Sequence, residues 1–236
     1  MVRRLIASLE RFGADTIQVA DGIGAMLVST RVTGTGDDIS AEGDVPSHCR
    51  VLLEGQAFRH KVLPDGRRQI MAFLIPGDII DLQGMFLGMD HMVTALTPCE
   101  LGLVSHARLA ELMQRESSLV RALWRMSLVE AAISREWLLG IGRRSAYQRV
   151  AHLFCEMRVR LANAGLVRNE RYAFPVTQQH LSDALGLSAV HTNRTLQTLR
   201  GEGLLTFQAG ELQVLDWPGL QAAGEFDPGY LHLPRG

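Results

Sequence analysis

Long apolar runs are missing from this chain of 236 residues, although hydrophobic residues make up 47% of it. No stretch approaches the roughly 20 apolar residues that cross a bilayer, so no membrane span is expected. The opening MVRRLIASLERF alternates apolar and charged positions and has no small-residue cleavage site. That pattern argues against a secretion signal and for the cytoplasm. Cysteine is scarce: Cys49, Cys99 and Cys155 are odd in number and far apart, which excludes a disulfide framework and a CxxC metal clip and suits a reducing compartment. There is no His-x-His, GxSxG, HExxH or glycine-rich phosphate loop. The metal oxygenases of cupin type, the serine hydrolases, the zinc proteases and the nucleotide-binding enzymes therefore lose their motifs, and no enzyme is expected. No internal repeat or low-complexity segment is visible.

What is present is unevenly charged. The net charge of −1 divides into −3 over residues 1–142, +5 over 143–205 and −3 over 206–236. A basic block between mildly acidic ones has the form of an electrostatic footprint for a phosphate backbone.

From about Ile17 to Val104 short apolar or alternating runs (MLVSTRV, CRVLLEG, QAFRHKVL, QIMAFLI) are separated by turn residues, the rhythm of a sandwich or small barrel. VLPDGRRQI reads as a hairpin turning at Pro64-Asp65-Gly66. The period then changes. Ser105 and Ser117 are placed to cap two successive helices, the second of them the longest in the chain. On it Leu119, Leu123, Met126, Ile133 and Trp137 form one apolar stripe. Val120, Trp124, Ser127, Ala131, Ser134 and Leu138 form another, with small residues in its middle. Two stripes need two partners: the β-domain and a second copy of the same helix. Leu119, Leu123, Trp124, Ser127, Ala131, Ser134 and Leu138 are the expected dimerisation residues. Gly140 and Gly142 interrupt the pattern and mark a domain boundary. A further helix follows, with Val150, Leu153, Phe154, Met157 and Leu161 on one face and Gly165 as its stop.

The next stretch carries the function. Thr177 is placed to cap a helix ending near Leu185, Gly186 supplies a turn, and Ser188 caps a second helix to about Arg200. Leu181, Leu185, Leu187, Leu196 and Leu199 can meet between them, with Ser182 at the close approach. Ala189, Val190, Asn193, Arg194 and Gln197 share the other side of the second helix, opposite Thr192, Leu196 and Leu199. Such a face suits base edges: arginine bonds guanine bidentately, asparagine bonds adenine or a phosphate, and valine meets a thymine methyl. After it, LLTFQAGELQVL reads as a hairpin turning at Ala209-Gly210, the wing of a winged helix-turn-helix.

Over nearly its whole length the chain resembles the Crp/Fnr superfamily of transcription regulators, the relatives of the cyclic-AMP receptor protein. The resemblance is carried by CRVLLEGQAF, DGRRQIMAFLIPGDIIDL, CELGLVS and LGLSAVHTNRTLQTLRGEGLL. It implies an α+β protein in three parts: a β jelly-roll sensor barrel of the cyclic-nucleotide-binding kind (1–116), a long dimerisation helix and hinge (117–142) and a winged helix-turn-helix (143–236). It also implies a homodimer on pseudo-palindromic promoter DNA, with RNA polymerase as a further partner. Thr177, Gln178, Ser188 and His191 join the expected DNA contacts. In the family's usual recognition helix a Glu precedes the Arg by four residues; here Ser188 and Arg194 match, but Val190 stands at the Glu position.

For the effector, Gly77, Asp78 and Ile79 mark the expected pocket. The family's Arg-Ser pair that neutralises a cyclic phosphate aligns with Met89-Asp90, so cyclic AMP is not expected. No cysteine precedes Cys49, so neither is an iron–sulfur cluster. His60, His91 and His106 leave haem open, and thiol oxidation at Cys49 or Cys99 stays an alternative signal. A sensing module without DNA activity is a further alternative, opposed by the basic block and Arg194.

Overall fold

The computed structural model describes residues 2–15 and 27–233. The expected β-rhythm over 17–26 lies outside them. Residues to Lys61 with Ala72–Ala131 form one compact unit, and Val62–Met71 with Ala132–Leu233 a second.

The first unit opens with helix α1 (Val2–Arg11). Strands β1 (Leu27–Thr33), β7 (Cys99–Ser105) and β3 (His48–Glu54) form one antiparallel sheet, in the order β1-β7-β3. Strands β2 (Asp38–Ser40), β6 (Met92–Ala95), β4 (Ala57–Val62) and β5 (Arg68–Leu74) make another, in that order. Ile39, Leu52, Ala57, Leu74, Ile80, Val93 and Leu101 pack between them as one core. The two-residue period of β3 explains a second core on its other side. Cys49, Val51 and Leu53 alternate with Leu52 and face Leu5 and Leu9 of α1, Leu109 of helix α2 (His106–Arg115) and Leu119, Ala122, Leu123 and Met126 of helix α3 (Ser117–Arg143).

Three expectations change here. Ser105 holds the N-cap position of α2 but makes no capping hydrogen bond, and Ser117 is already inside α3, its hydroxyl accepting from Arg121 at 3.1 Å. Gly140 and Gly142 do not break α3, which continues to Arg143. Leu119 and Leu123 belong to this chain's own core, with 0% and 4% of their surface exposed, and leave the set available to a second copy. The face of α3 that stays uncovered carries Trp124, Leu128 and Leu138 at 67%, 57% and 71% exposure, with Ser127, Ala131 and Ser134 exposed among them.

The expected hairpin between β4 and β5 closes as read: Gly66 has φ +84°, and its N–H donates to Leu63 O at 2.8 Å.

In the second unit, helix α4 (Ala146–Asn163) starts in a reciprocal box, Ser145 and Gln148 each bonding the other's backbone N–H. Strand β8 (Arg171–Ala173), helices α5 (Gln178–Leu185) and α6 (Ala189–Gly201), strands β9 (Leu205–Gln208) and β10 (Glu211–Val214) and helix α7 (Trp217–Gly224) follow. The rings of Phe174 and Phe207 flank Phe154 at 6.3 and 5.6 Å. Helix α7 meets α4 so closely that a Cβ on Gly224 would lie 2.7 Å from the His152 nitrogen. Beneath that contact the Glu156 side chain is fully buried. It accepts from Trp137 Nε1 and the Tyr230 hydroxyl, each at 2.9 Å, and from Arg160 at 3.3 Å. Three donors on one carboxylate offset the cost of removing its charge from water.

Candidate nucleic-acid interface

Local chemistry sets both helices of the pair. The Thr177 hydroxyl accepts from the His180 N–H at 3.1 Å while His180 Nδ1 accepts from the Thr177 N–H at 3.2 Å, a capping box with histidine in the usual acidic place. Gly186 ends α5 at φ +63°, a left-handed turn that glycine adopts without strain. Two residues on, Ser188 caps α6 by accepting from the His191 N–H at 3.2 Å. Arg149 of α4 donates to Leu185 O at 2.8 Å, satisfying a carbonyl that the end of α5 leaves open.

The two helices cross on a largely apolar contact. Leu181, Ala184, Leu185, Leu196 and Leu199 are buried, and Leu187 is half-buried. Ser182 Oγ donates to Gln178 O at 2.8 Å and lies 2.9 Å from Thr192 Oγ1. Since Ser182 has spent its only proton, Thr192 is the donor to it.

Of the expected DNA contacts, Thr177, Gln178, Ser188, Ala189, Val190, His191, Arg194 and Gln197 are exposed, and Asn193 is half-buried. Val190 is 72% exposed, a large apolar side chain left uncovered beside Arg194 and Gln197. Among the described residues the Arg194 guanidinium has no partner, and its carbonyl accepts from Thr198 at 3.1 Å. Asn193 Nδ2 donates to Gln178 Oε1 at 3.2 Å, so these two candidates form a pair.

Beside this face stands the wing. β9 and β10 pair through a two-residue turn in which Ala209 and Gly210 both have positive φ, +51° and +78°. Phe207, Leu205, Leu212 and Val214 point inward. Sequence reasoning missed β8, which pairs with β10 as a third wing strand; three residues are too few to show a period. It also missed the Arg149 clamp and the Glu156 cluster, because distant contacts leave no local signal.

The expected effector region looks different. Gly77 has φ +102° and the Asp78 carboxylate turns back to accept from the Ile75 N–H at 2.9 Å. Ile79 is buried in the core under α1 to α3. Met89 is buried, whereas Asp90 is exposed and accepts from Gln83 Nε2 at 3.0 Å and His91 Nδ1 at 2.8 Å. Chiefly through the Gln83 bond, its carboxyl is held down at about 2 and is anionic at neutral pH. His60 Nε2 bonds Thr94 Oγ1 at 2.8 Å, and burial pulls His106 below the usual histidine range. Among the described residues no three His, Cys, Asp or Glu are grouped to hold a metal ion. All three cysteines are free and buried; burial pushes the Cys49 and Cys155 thiols up to about 12 and raises that of Cys99.

A capped helix pair with its second helix uncovered and a hairpin alongside is a winged helix-turn-helix, the DNA-binding class. Comparison with known proteins agrees. Residues 148–223 match the Crp-like helix-turn-helix domain, and residues 31–116 the cyclic nucleotide-binding domain. The chain is 31% identical over 188 residues to the transcriptional activatory protein AadR of Rhodopseudomonas palustris, covering 78% of this chain and 76% of AadR. It is 29% identical over 184 residues to the nitrogen fixation regulation protein FixK of Bradyrhizobium diazoefficiens, covering 77% and 76%. The solved structure of FixK2 from Bradyrhizobium japonicum superposes with a TM-score of 0.75 at 26% identity, covering 83% of this chain and 96% of FixK2. The chain belongs to the Crp/Fnr family and is a DNA-binding transcription regulator. The jelly-roll and helix-turn-helix expectations hold. Among the described residues no helix is long and apolar enough to cross a membrane.

Proposed function

We propose that the protein works in the cytoplasm as a symmetric homodimer, without enzymatic activity, on pseudo-palindromic promoter sites. Each copy places α6 in a major groove, with half-sites about one helical turn apart. The observation that carries this reading is the outer face of α6: Arg194 without a partner among the described residues and Val190 uncovered, on a helix whose opposite side is locked by Thr192, Leu196 and Leu199. For the dimer, Trp124, Leu128, Ala131 and Leu138 recur at coiled-coil spacing on the uncovered face of α3. The activator names of relatives such as AadR support activation through RNA polymerase. The signal is not cyclic AMP, because the anionic Asp90 stands where the family's phosphate-binding pair aligns. Nor is it thiol oxidation: buried, protonated sulfur is a poor nucleophile. An iron–sulfur cluster lacks its ligands. No haem is assigned to His60, His91 or His106.

The test is selection of bound DNA from a random pool, followed by salt titration on the winner. A two-fold symmetric site is expected, with affinity falling steeply as salt rises. A winner without symmetry, bound by one copy, overturns the dimeric reading, and recovery of no site at all overturns the reading as a whole.

A further inference from the structure

We infer that Gln178 is a positioning residue: it fixes the amide of Asn193 so that Asn193 reads adenine and rejects guanine at one base pair of the site. The inference rests on α6 entering the major groove and adds to that reading which residue sets one base preference.

Three observations converge on the pair. First, Asn193 Nδ2 donates to Gln178 Oε1 at 3.2 Å across the two helices. Second, both residues sit on fixed backbone. Gln178 O accepts from Ser182, Ser182 accepts from Thr192, and Thr192 directly precedes Asn193 with none of its surface exposed. Third, this is the edge of the exposed face of α6, one residue from Arg194.

Counting donors and acceptors then gives the specificity. Each primary amide has two N–H groups and one carbonyl oxygen. The pair uses one N–H of Asn193 and the oxygen of Gln178. Asn193 keeps an oxygen and one N–H, and Gln178 keeps both of its N–H groups. Adenine offers the N6 amino donor and the N7 acceptor to the major groove, which match what Asn193 has left. Guanine offers O6 and N7, both acceptors, so the Asn193 oxygen would face O6. Rotating the Asn193 amide by half a turn would relieve that clash but set two oxygens against each other at the Gln178 contact, and turning the Gln178 amide with it would restore that bond only by aiming the Gln178 oxygen, in place of its N–H groups, at the backbone phosphate. Gln178 therefore holds Asn193 in the orientation that selects adenine, while its own N–H groups, at the first position of α5, suit a backbone phosphate.

The experiment compares base preferences of the full-length protein and its variants on pools built around the selected site. Asn193→Ala identifies the base pair that Asn193 reads. Gln178→Ala is expected to lower the adenine-over-guanine preference at that same pair by about tenfold, the order of one bidentate contact, and to leave other positions unchanged. Gln178→Glu keeps an oxygen for Asn193 but has no N–H to offer. It is expected to preserve the preference while weakening binding to all sequences alike.

The inference is overturned if Gln178→Ala keeps the preference, if Gln178→Glu loses it as the alanine variant does, or if Asn193→Ala shifts nothing while Arg194→Ala does. Should neither Asn193→Ala nor Arg194→Ala change any position of a selected site, the groove reading itself fails.

Discussion

Replacing Arg194 by alanine removes a guanidinium that has no partner among the described residues of the free protein and stands exposed in the middle of α6. Nothing buried is left unpaired by the change, and alanine is at least as good a helix former as arginine, so the fold should keep its thermal midpoint. The whole effect then falls on DNA binding. A bidentate contact from arginine to guanine O6 and N7 is worth about 1–3 kcal/mol against a wrong base, roughly 5- to 150-fold in Kd per half-site. On a symmetric site two copies lose it independently, for about 2–6 kcal/mol together. Fluorescence anisotropy on the selected site, and on a site with that guanine replaced, reads both numbers. Arg194→Ala should weaken the first complex and leave the second nearly unchanged. A phosphate contact would behave otherwise, weakening all sequences alike and lowering the salt slope by about one for each copy. Equal losses on both sites, or none on either, would refute a base-reading role for Arg194.

Three further expectations follow from the packing. Leu138→Glu or Ala131→Glu places a charge on the uncovered face of α3 and should halve the mass in sedimentation, whereas Leu123→Glu should lower thermal stability because Leu123 lies in the core. An unchanged mass for both surface variants removes α3 from the interface. Glu156→Ala strips the acceptor from Trp137, Tyr230 and the Arg160 cation and should destabilise the second unit by about 3–5 kcal/mol, read as a lower midpoint in urea. A midpoint equal to that of the parent would show that this cluster contributes nothing. Burial, then the Arg144 charge, holds His152 below its ordinary value of 6.5, so the unfolded chain takes up that proton first as pH falls. Its contribution is complete above pH 6.5 and is lost below it, down to the folded-state value. The fall in urea midpoint between pH 8 and 5 should therefore be smaller in His152→Gln than in the parent; equal slopes would contradict it.

Much of the candidate site could be read without coordinates because it is built from neighbours in the chain. Thr177 and Ser188 cap the helices they begin, Gly186 takes the left-handed turn between them, and Ala209-Gly210 closes the wing. Each depends on residues a few positions apart, which is the range over which side chains compete for backbone hydrogen bonds. The Ser117 cap failed for a related reason. A serine can cap a helix or stand as its first residue, and only the placement of Glu116, whose carbonyl accepts from Leu119 at 3.0 Å, decides which.

Periodicity and local capping were thus enough to settle that this chain has a β-rich half, a long helix and a helix pair with a wing. They also settled that Arg194 and Val190 lie opposite the leucines of α6. Which apolar stripe of α3 its own β-domain would cover was beyond them, because Leu123 and Leu138 have the same hydrophobicity and differ only in what folds against them. The same holds for Gln178 and Asn193, fifteen residues apart in the chain and joined by one hydrogen bond. Burial and cross-helix contact are properties of surfaces brought together by the whole chain, and no short window of sequence contains them.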